Sequence, residues 1–203
     1  MFEPEHDWSR RILLTRALPV ATLGCLSCRS LFAQQPEAGV KRLPPDAVAM
    51  TADEVYGLFY GAFIPLLQAL LSETGRAKGL VQLEKTAAAS TAQMVASVAK
   101  DLPRRDLKAF GAFLRDALAS PPYDKALAYQ VVEQTDIVLE LRYSKCLPAK
   151  LLRAMNAADI GLAIECSGAA TLARAFNPKI QTENPKNLMK GDSVCIERFT
   201  LAT

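Results

Sequence analysis

The run Ala126-Leu127-Ala128-Tyr129-Gln130-Val131-Val132-Glu133, followed by Gln134-Thr135-Asp136 and then Ile137-Val138-Leu139-Glu140-Leu141-Arg142, decides the fold class. Two short stretches rich in Val, Leu and Tyr flank three polar residues, a spacing that predicts a β-hairpin. Upstream of it the apolar residues recur at three and four, the period of helices. Downstream, Lys179–Thr182 and Ser193–Leu201 read as two more strands, with a helical region between Pro148 and Phe176 that breaks near Asn156. Helices first and a small antiparallel sheet with a crossing helix afterwards make an α+β architecture.

In the helical half, Thr51 followed three residues later by Glu54 predicts a capping box at a helix start. Val55, Leu58, Phe59, Phe63, Leu66, Leu67, Leu70 and Leu71 predict its inward face, with Pro65 expected to kink it and Gly75 and Gly79 to bracket its exit. Tyr56 and Tyr60, four apart, fit simple packing. A second helix, Leu80 to Lys100, is rich in Ala, Ser and Thr, as suits close packing or a cavity wall. A third begins at Pro103-Arg104-Arg105-Asp106, turns Leu107, Phe110, Phe113, Leu114 and Leu118 inward, and ends at Pro121-Pro122. Arg104-Arg105 reads as a solvated helix start rather than a carboxylate clamp.

The front of the chain predicts an address. Ser9-Arg10-Arg11 precedes an apolar run that ends at Ser30-Leu31-Phe32-Ala33, the plan of an export signal with the arginine pair of the twin-arginine route. The expected divisions are a signal over 1–33, an extended lead-in over 34–50, and a single domain over 51–203. The expected partner is the twin-arginine export machinery, and the expected location is periplasmic or secreted. Leu23-Gly24-Cys25 offers an alternative, a lipid anchor at Cys25. No later run is expected to reach the length of a spanning helix, so no stable membrane association is expected after cleavage.

Of 203 residues, 50% are hydrophobic and the net charge is +3. Removing the signal leaves roughly 170 residues, enough for one domain with a single core. So small a charge argues against nucleic-acid binding. The single histidine is His6, inside the expected signal. The remaining domain therefore excludes a Ser-His-Asp triad, a Cys-His dyad and a His-ligated metal. Of five cysteines, Cys146, Cys166 and Cys195 remain, an odd number that leaves at least one thiol outside any intramolecular disulfide.

Those cysteines fall at a hairpin end, on the crossing helix and on the last strand, so one site can gather them. Each taken alone is most simply a core residue. Arg142-Tyr143-Ser144-Lys145-Cys146, Glu165-Cys166, Ala175-Phe176-Asn177-Pro178-Lys179-Ile180, and Asn187-Leu188-Met189-Lys190-Gly191-Asp192 with Cys195 following resemble the L-2-amino-thiazoline-4-carboxylic acid hydrolase family over about Leu139 to Thr200. The resemblance implies an α+β domain and hydrolysis of a carbon–nitrogen bond in a small cyclic, amidine-like substrate that bears a carboxylate. It also implies an Asp three residues after the helix cysteine and another directly after the late one. Here Ala169 and Ile196 stand instead.

Two chemistries follow. Cys166 acts as a nucleophile helped by Lys145, Arg142 or a helix amino terminus, with Glu165 working against its thiolate. Alternatively Cys146, Cys166 and Cys195 share one divalent metal such as zinc that activates water. Arg142, Lys145, Asn177 and Asp192 are the candidate substrate-binding residues, although Asp192 after Gly191 equally makes a turn and Asn177-Pro178 a helix stop. Two further readings stay open: a member of the same fold that binds a small ligand or metal without turnover, and an exported protein whose cysteines are structural.

Overall fold

Thr51 starts the first helix as the sequence predicts. Its hydroxyl accepts from the Glu54 amide, and the Glu54 carboxylate accepts from the Thr51 amide at 2.7 Å. The structure is a computed structural model that describes residues 50–202, so the expected signal, nearly all of the lead-in and Cys25 lie outside the described residues. Helix α1 (Ala52–Thr74) runs through Pro65 and stops at Gly75, whose φ of 88° places it where side chains are disfavoured. Gly79 lies inside α2 (Arg76–Ala99) instead of in a connection. Asp106 caps α3 (Leu107–Leu118) by accepting from the Ala109 amide at 2.8 Å.

After the single turn α4 (Tyr123–Ala126), β1 (Leu127–Gln134) and β2 (Val138–Cys146) form the expected antiparallel hairpin. Thr135 closes it, its hydroxyl accepting from the Val138 amide at 2.9 Å. Helix α5 (Leu147–Ala154) ends near Asn156, whose φ of 53° marks the expected break. Then come α6 (Ala158–Gly161), a π-helical turn (Leu162–Cys166) and α7 (Gly168–Phe176). Strands β3 (Ile180–Lys186) and β4 (Cys195–Leu201) complete a four-stranded antiparallel sheet in the order β1-β2-β4-β3. A 3-10 turn, Leu188–Lys190, joins them. The α+β class expected from the sequence is the class observed.

Two apolar clusters hold these elements. The sheet-side cluster packs α3 and α7 on the strands, with Phe110 edge-on to Phe176 and Phe199 at centroid distances of 5.4 and 5.0 Å. The helix-side cluster joins Tyr60, Ile64, Leu67 and Leu71 of α1 to Leu152, Ile160 and Met189. Gly161 permits the approach of the last of these. A Cβ there would stand 2.6 Å from Met189 Sδ and 2.9 Å from Leu152 Cδ1.

The inward face of α1 differs from the expected one. Tyr60, Ile64, Leu67 and Leu71 are buried, whereas Val55, Leu58, Phe59, Phe63, Leu66 and Leu70 are exposed. The helix is apolar on both sides, so periodicity alone does not select the packed face. The expectation that no later run reaches spanning length is also corrected: by length and composition, Ala52–Thr74 is long and apolar enough to cross a membrane, with a mean hydropathy of 1.5.

Candidate active site

Between the two clusters lies a cavity of about 250 Å³, room for a small ring rather than an extended cofactor. Leu114, Leu118 and Tyr143 face it from the sheet side, and Ala149 and Met189 from the helix side. Thr91 and Met94 of α2 also line it, so the Ala- and Thr-rich helix is a cavity wall. Into this apolar surface project two carboxyl groups, Glu165 and Glu197.

Each carboxyl is held by one tyrosine. Tyr60 on α1 donates its hydroxyl to Glu165 Oε1 at 2.7 Å, and Tyr143 on β2 donates to Glu197 Oε2 at 2.8 Å. The sheet register explains the second pair. Tyr143 stands opposite Cys195 and Leu141 opposite Glu197, so Tyr143 and Glu197 are diagonal neighbours across β2 and β4. The first pair depends on the π turn that carries Glu165, an irregularity frequent at functional sites. Burial pushes both carboxyls above the ordinary carboxylate range, and the tyrosine hydrogen bonds, which favour the ionised form, offset part of that rise. Burial and the neighbouring glutamates hold Tyr60 and Tyr143 far above the usual tyrosine range, so both stay protonated donors.

Two of the three cysteines face the same space. Cys146 and Cys195 line the cavity, and the charge of Cys166 would be raised in energy by both of them. Cys166 donates its thiol to Asn187 Oδ1 at 3.8 Å, and Asn184 donates to Cys195 Sγ at 3.4 Å. Burial pushes the Cys166 thiol up to about 12 and the Cys146 thiol up to about 11, and raises Cys195 as well. At neutral pH all three are thiols, poor nucleophiles in the resting site. Among the described residues, no group of three or more His, Cys, Asp or Glu side chains is arranged to hold a metal ion. The three-thiolate zinc set expected from the sequence is therefore not assembled here.

The expected substrate-binding residues stand apart from the cavity. Lys145 donates its ammonium to the Lys125 carbonyl at 3.1 Å, and the exposed Arg142 does not line the cavity, so neither activates Cys166. Asn177 bonds the Arg105 carbonyl and the Lys179 amide, which is the work of a helix stop. Asp192 accepts from the Asn187 amide at 2.7 Å and so fixes the turn whose Asn187 side chain reaches Cys166. Arg104 pairs with Asp106 at the exposed start of α3, and Arg105 donates to the Ala99 carbonyl.

Sequence reasoning missed Glu165, Glu197, Tyr60, Tyr143 and Asn187 as site residues. A signal existed for Glu197, which lies two residues beyond Cys195 and so on the same face of a strand. The two absent carboxylates also take on a different meaning. Ala169 lines the cavity one helical turn beyond Glu165, whereas Ile196, between Cys195 and Glu197, does not line it.

The family model for L-2-amino-thiazoline-4-carboxylic acid hydrolase matches residues 56–199, which spans α1 to β4 and both tyrosine–glutamate pairs. The chain belongs to that family. The match extends well upstream of the stretch whose motifs suggested it and takes in Tyr60. No curated protein matches the chain. Among solved structures, the crystal structure of the phenol-responsive sensory domain of the transcription activator PoxR with phenol is similar, at a TM-score of 0.49 and 11% identity over 76% of each chain.

Proposed function

We propose that this family member is a hydrolase that opens a carbon–nitrogen bond of a small cyclic, amidine-like substrate in the cavity between the two clusters. The observation that supports it is the pair of tyrosine-held glutamates facing one small apolar space. Two carboxyls with raised pKa values suit general acid–base work near neutral pH. One, ionised, takes a proton from water as the water oxygen bonds to the amidine carbon. The other, protonated, gives its proton to the ring nitrogen as the carbon–nitrogen bond breaks. The carbon keeps the new oxygen as a carbonyl once the remaining hydroxyl proton leaves. Glu197 sits on a strand of fixed register and Glu165 on a turn, and either assignment of acid and base balances. Cys146 and Cys195 then serve as neutral walls, and Cys166 holds the lining residue Asn187.

The test is ring opening of L-2-amino-thiazoline-4-carboxylate and of 2-amino-2-thiazoline by the full chain, followed by proton NMR. Turnover that falls about 10²–10⁴-fold in Glu165→Gln and in Glu197→Gln is the expected result. Folded protein that opens neither ring, or variants that turn over at the wild-type rate, would overturn the reading. We also propose export by the twin-arginine route, on Arg10-Arg11 and the apolar run that follows. Replacing both arginines by lysine is expected to keep the protein in the cytoplasmic fraction of a bacterial host. An unchanged distribution would refute it.

A further inference from the structure

We propose that the cavity selects small amidinium-class cations that carry no carboxylate, in contrast to the carboxylate-bearing substrate in the family's name. The proposal rests on the reading that this cavity is the working site, and it comes from the charge inventory of the walls. Among the described residues, their polar groups are Thr91, Tyr123, Tyr143, Asn187, the thiols of Cys146 and Cys195, and the two glutamates, with no lysine or arginine among these described lining residues. Several cations on the surrounding elements are engaged elsewhere. Arg76 is paired with Asp159, Lys150 with Asp53, and Arg198 with Glu133 and Glu140. Arg153 donates to the Leu188 carbonyl, and Lys145 to the Lys125 carbonyl.

A carboxylate entering this space would lose its water beside two acidic groups and gain no cation in return. An amidinium finds the opposite. Its planar pair of N–H groups matches a carboxylate in two parallel charge-assisted hydrogen bonds, and its flat carbon frame fits the apolar walls.

The groups that face the glutamates are all neutral near pH 7. Tyr60, Tyr56, Tyr123 and Cys146 surround Glu165, and Tyr143, Cys195, Cys146 and Cys166 surround Glu197. A bound cation therefore adds a positive charge that the described lining residues lack, and favours the ionised carboxylate. Binding should release protons, and affinity should rise with pH through the range in which the glutamates titrate.

Calorimetry of the full chain tests this with benzamidine and 2-amino-2-thiazoline against benzoate and L-2-amino-thiazoline-4-carboxylate. The expected result is at least about tenfold tighter binding of each cation than of its carboxylate counterpart. The heat should also change with the ionisation enthalpy of the buffer, as proton release requires. Glu165→Gln and Glu197→Gln, with folding checked by circular dichroism, should each weaken the cations about tenfold. Should either variant fail to fold, the buffer dependence of the wild type still decides. Benzoate that binds as tightly as benzamidine, or binding without proton release, would overturn the proposal. Cation binding without ring opening would uphold it while removing the hydrolase reading. Ring opening confined to the carboxylate-bearing substrate would uphold the hydrolase and overturn the selectivity.

Discussion

The two tyrosine–glutamate pairs do the same thing by different means. Tyr143 and Glu197 are diagonal partners on adjacent strands, so backbone hydrogen bonds of the sheet set their geometry. Tyr60 and Glu165 are 105 residues apart and meet only because α1 packs against the turn region that follows Gly161. The sheet pair, 54 residues apart, is held by strand register, and the helix pair depends on side-chain packing. One carboxyl should therefore tolerate changes in the core that displace the other.

The largest expected effect is on turnover. Glu165→Gln/Glu197→Gln should lose both proton carriers, with activity falling at least about 10²–10⁴-fold below wild type, as ring-opening kinetics would show. Because groups that act as a unit are not additive, the double variant should fall little below the worse single one. A product of the two single losses would mean that they work separately.

Next is stability. Gly161→Ala should destabilise the fold by about 1–3 kcal/mol, since the new methyl meets Met189 and Leu152 in a filled core. Urea unfolding measures it, and the same variant should disturb Glu165 more than Glu197. A loss shared equally between the two pairs would remove the distinction between register-held and packing-dependent sides.

A smaller effect concerns pH. Both glutamates titrate higher in the folded protein than the ordinary carboxyl near about 4.3. The folded state thus holds protons that the unfolded chain has released, and stability falls as pH rises from that value toward the raised folded pKa. Glu165→Gln and Glu197→Gln should each flatten the decline. Removing a tyrosine hydroxyl withdraws a bond that favours the ionised form, so Tyr60→Phe and Tyr143→Phe should each move one glutamate's titration upward. Melting temperatures across the acid range would show whether the two shifts are separable.

The smallest effect should come from Arg142→Ala and Lys145→Ala. Both side chains lie away from the cavity, so turnover should stay within about twofold of wild type, a loss of well under 1 kcal/mol in transition-state stabilisation.

Legibility in the sequence followed the range of the interactions. The hairpin, the Thr51 capping box and the Asn156 break depend on neighbours within a few residues, and they read correctly, whereas the third strand runs on to Lys186, beyond the expected Thr182. The packed face of α1 did not, because that helix offers two apolar sides and only its partners choose between them. Of the three cysteines expected at one site, Cys146 and Cys195 line the cavity and Cys166 does not, and the carboxyl groups beside them belong to glutamates. Glu165 and Glu197 resemble solvated charges until Tyr60 and Tyr143 and the apolar walls are in place. Tyr60, read as a packing residue, has no local mark of its role. Lys145 failed as a site residue for the converse reason, since a backbone carbonyl on Lys125 takes its charge.

Infrared spectroscopy of the carboxyl C=O stretch, titrated from acid to neutral pH in wild type, Glu165→Gln and Glu197→Gln, tests the central claim most directly. A protonated carboxyl band should persist in wild type after the ordinary glutamates have ionised, with each variant lacking one component. Complete loss of that band together with those of the ordinary carboxyls, leaving wild type and both variants alike, would contradict it.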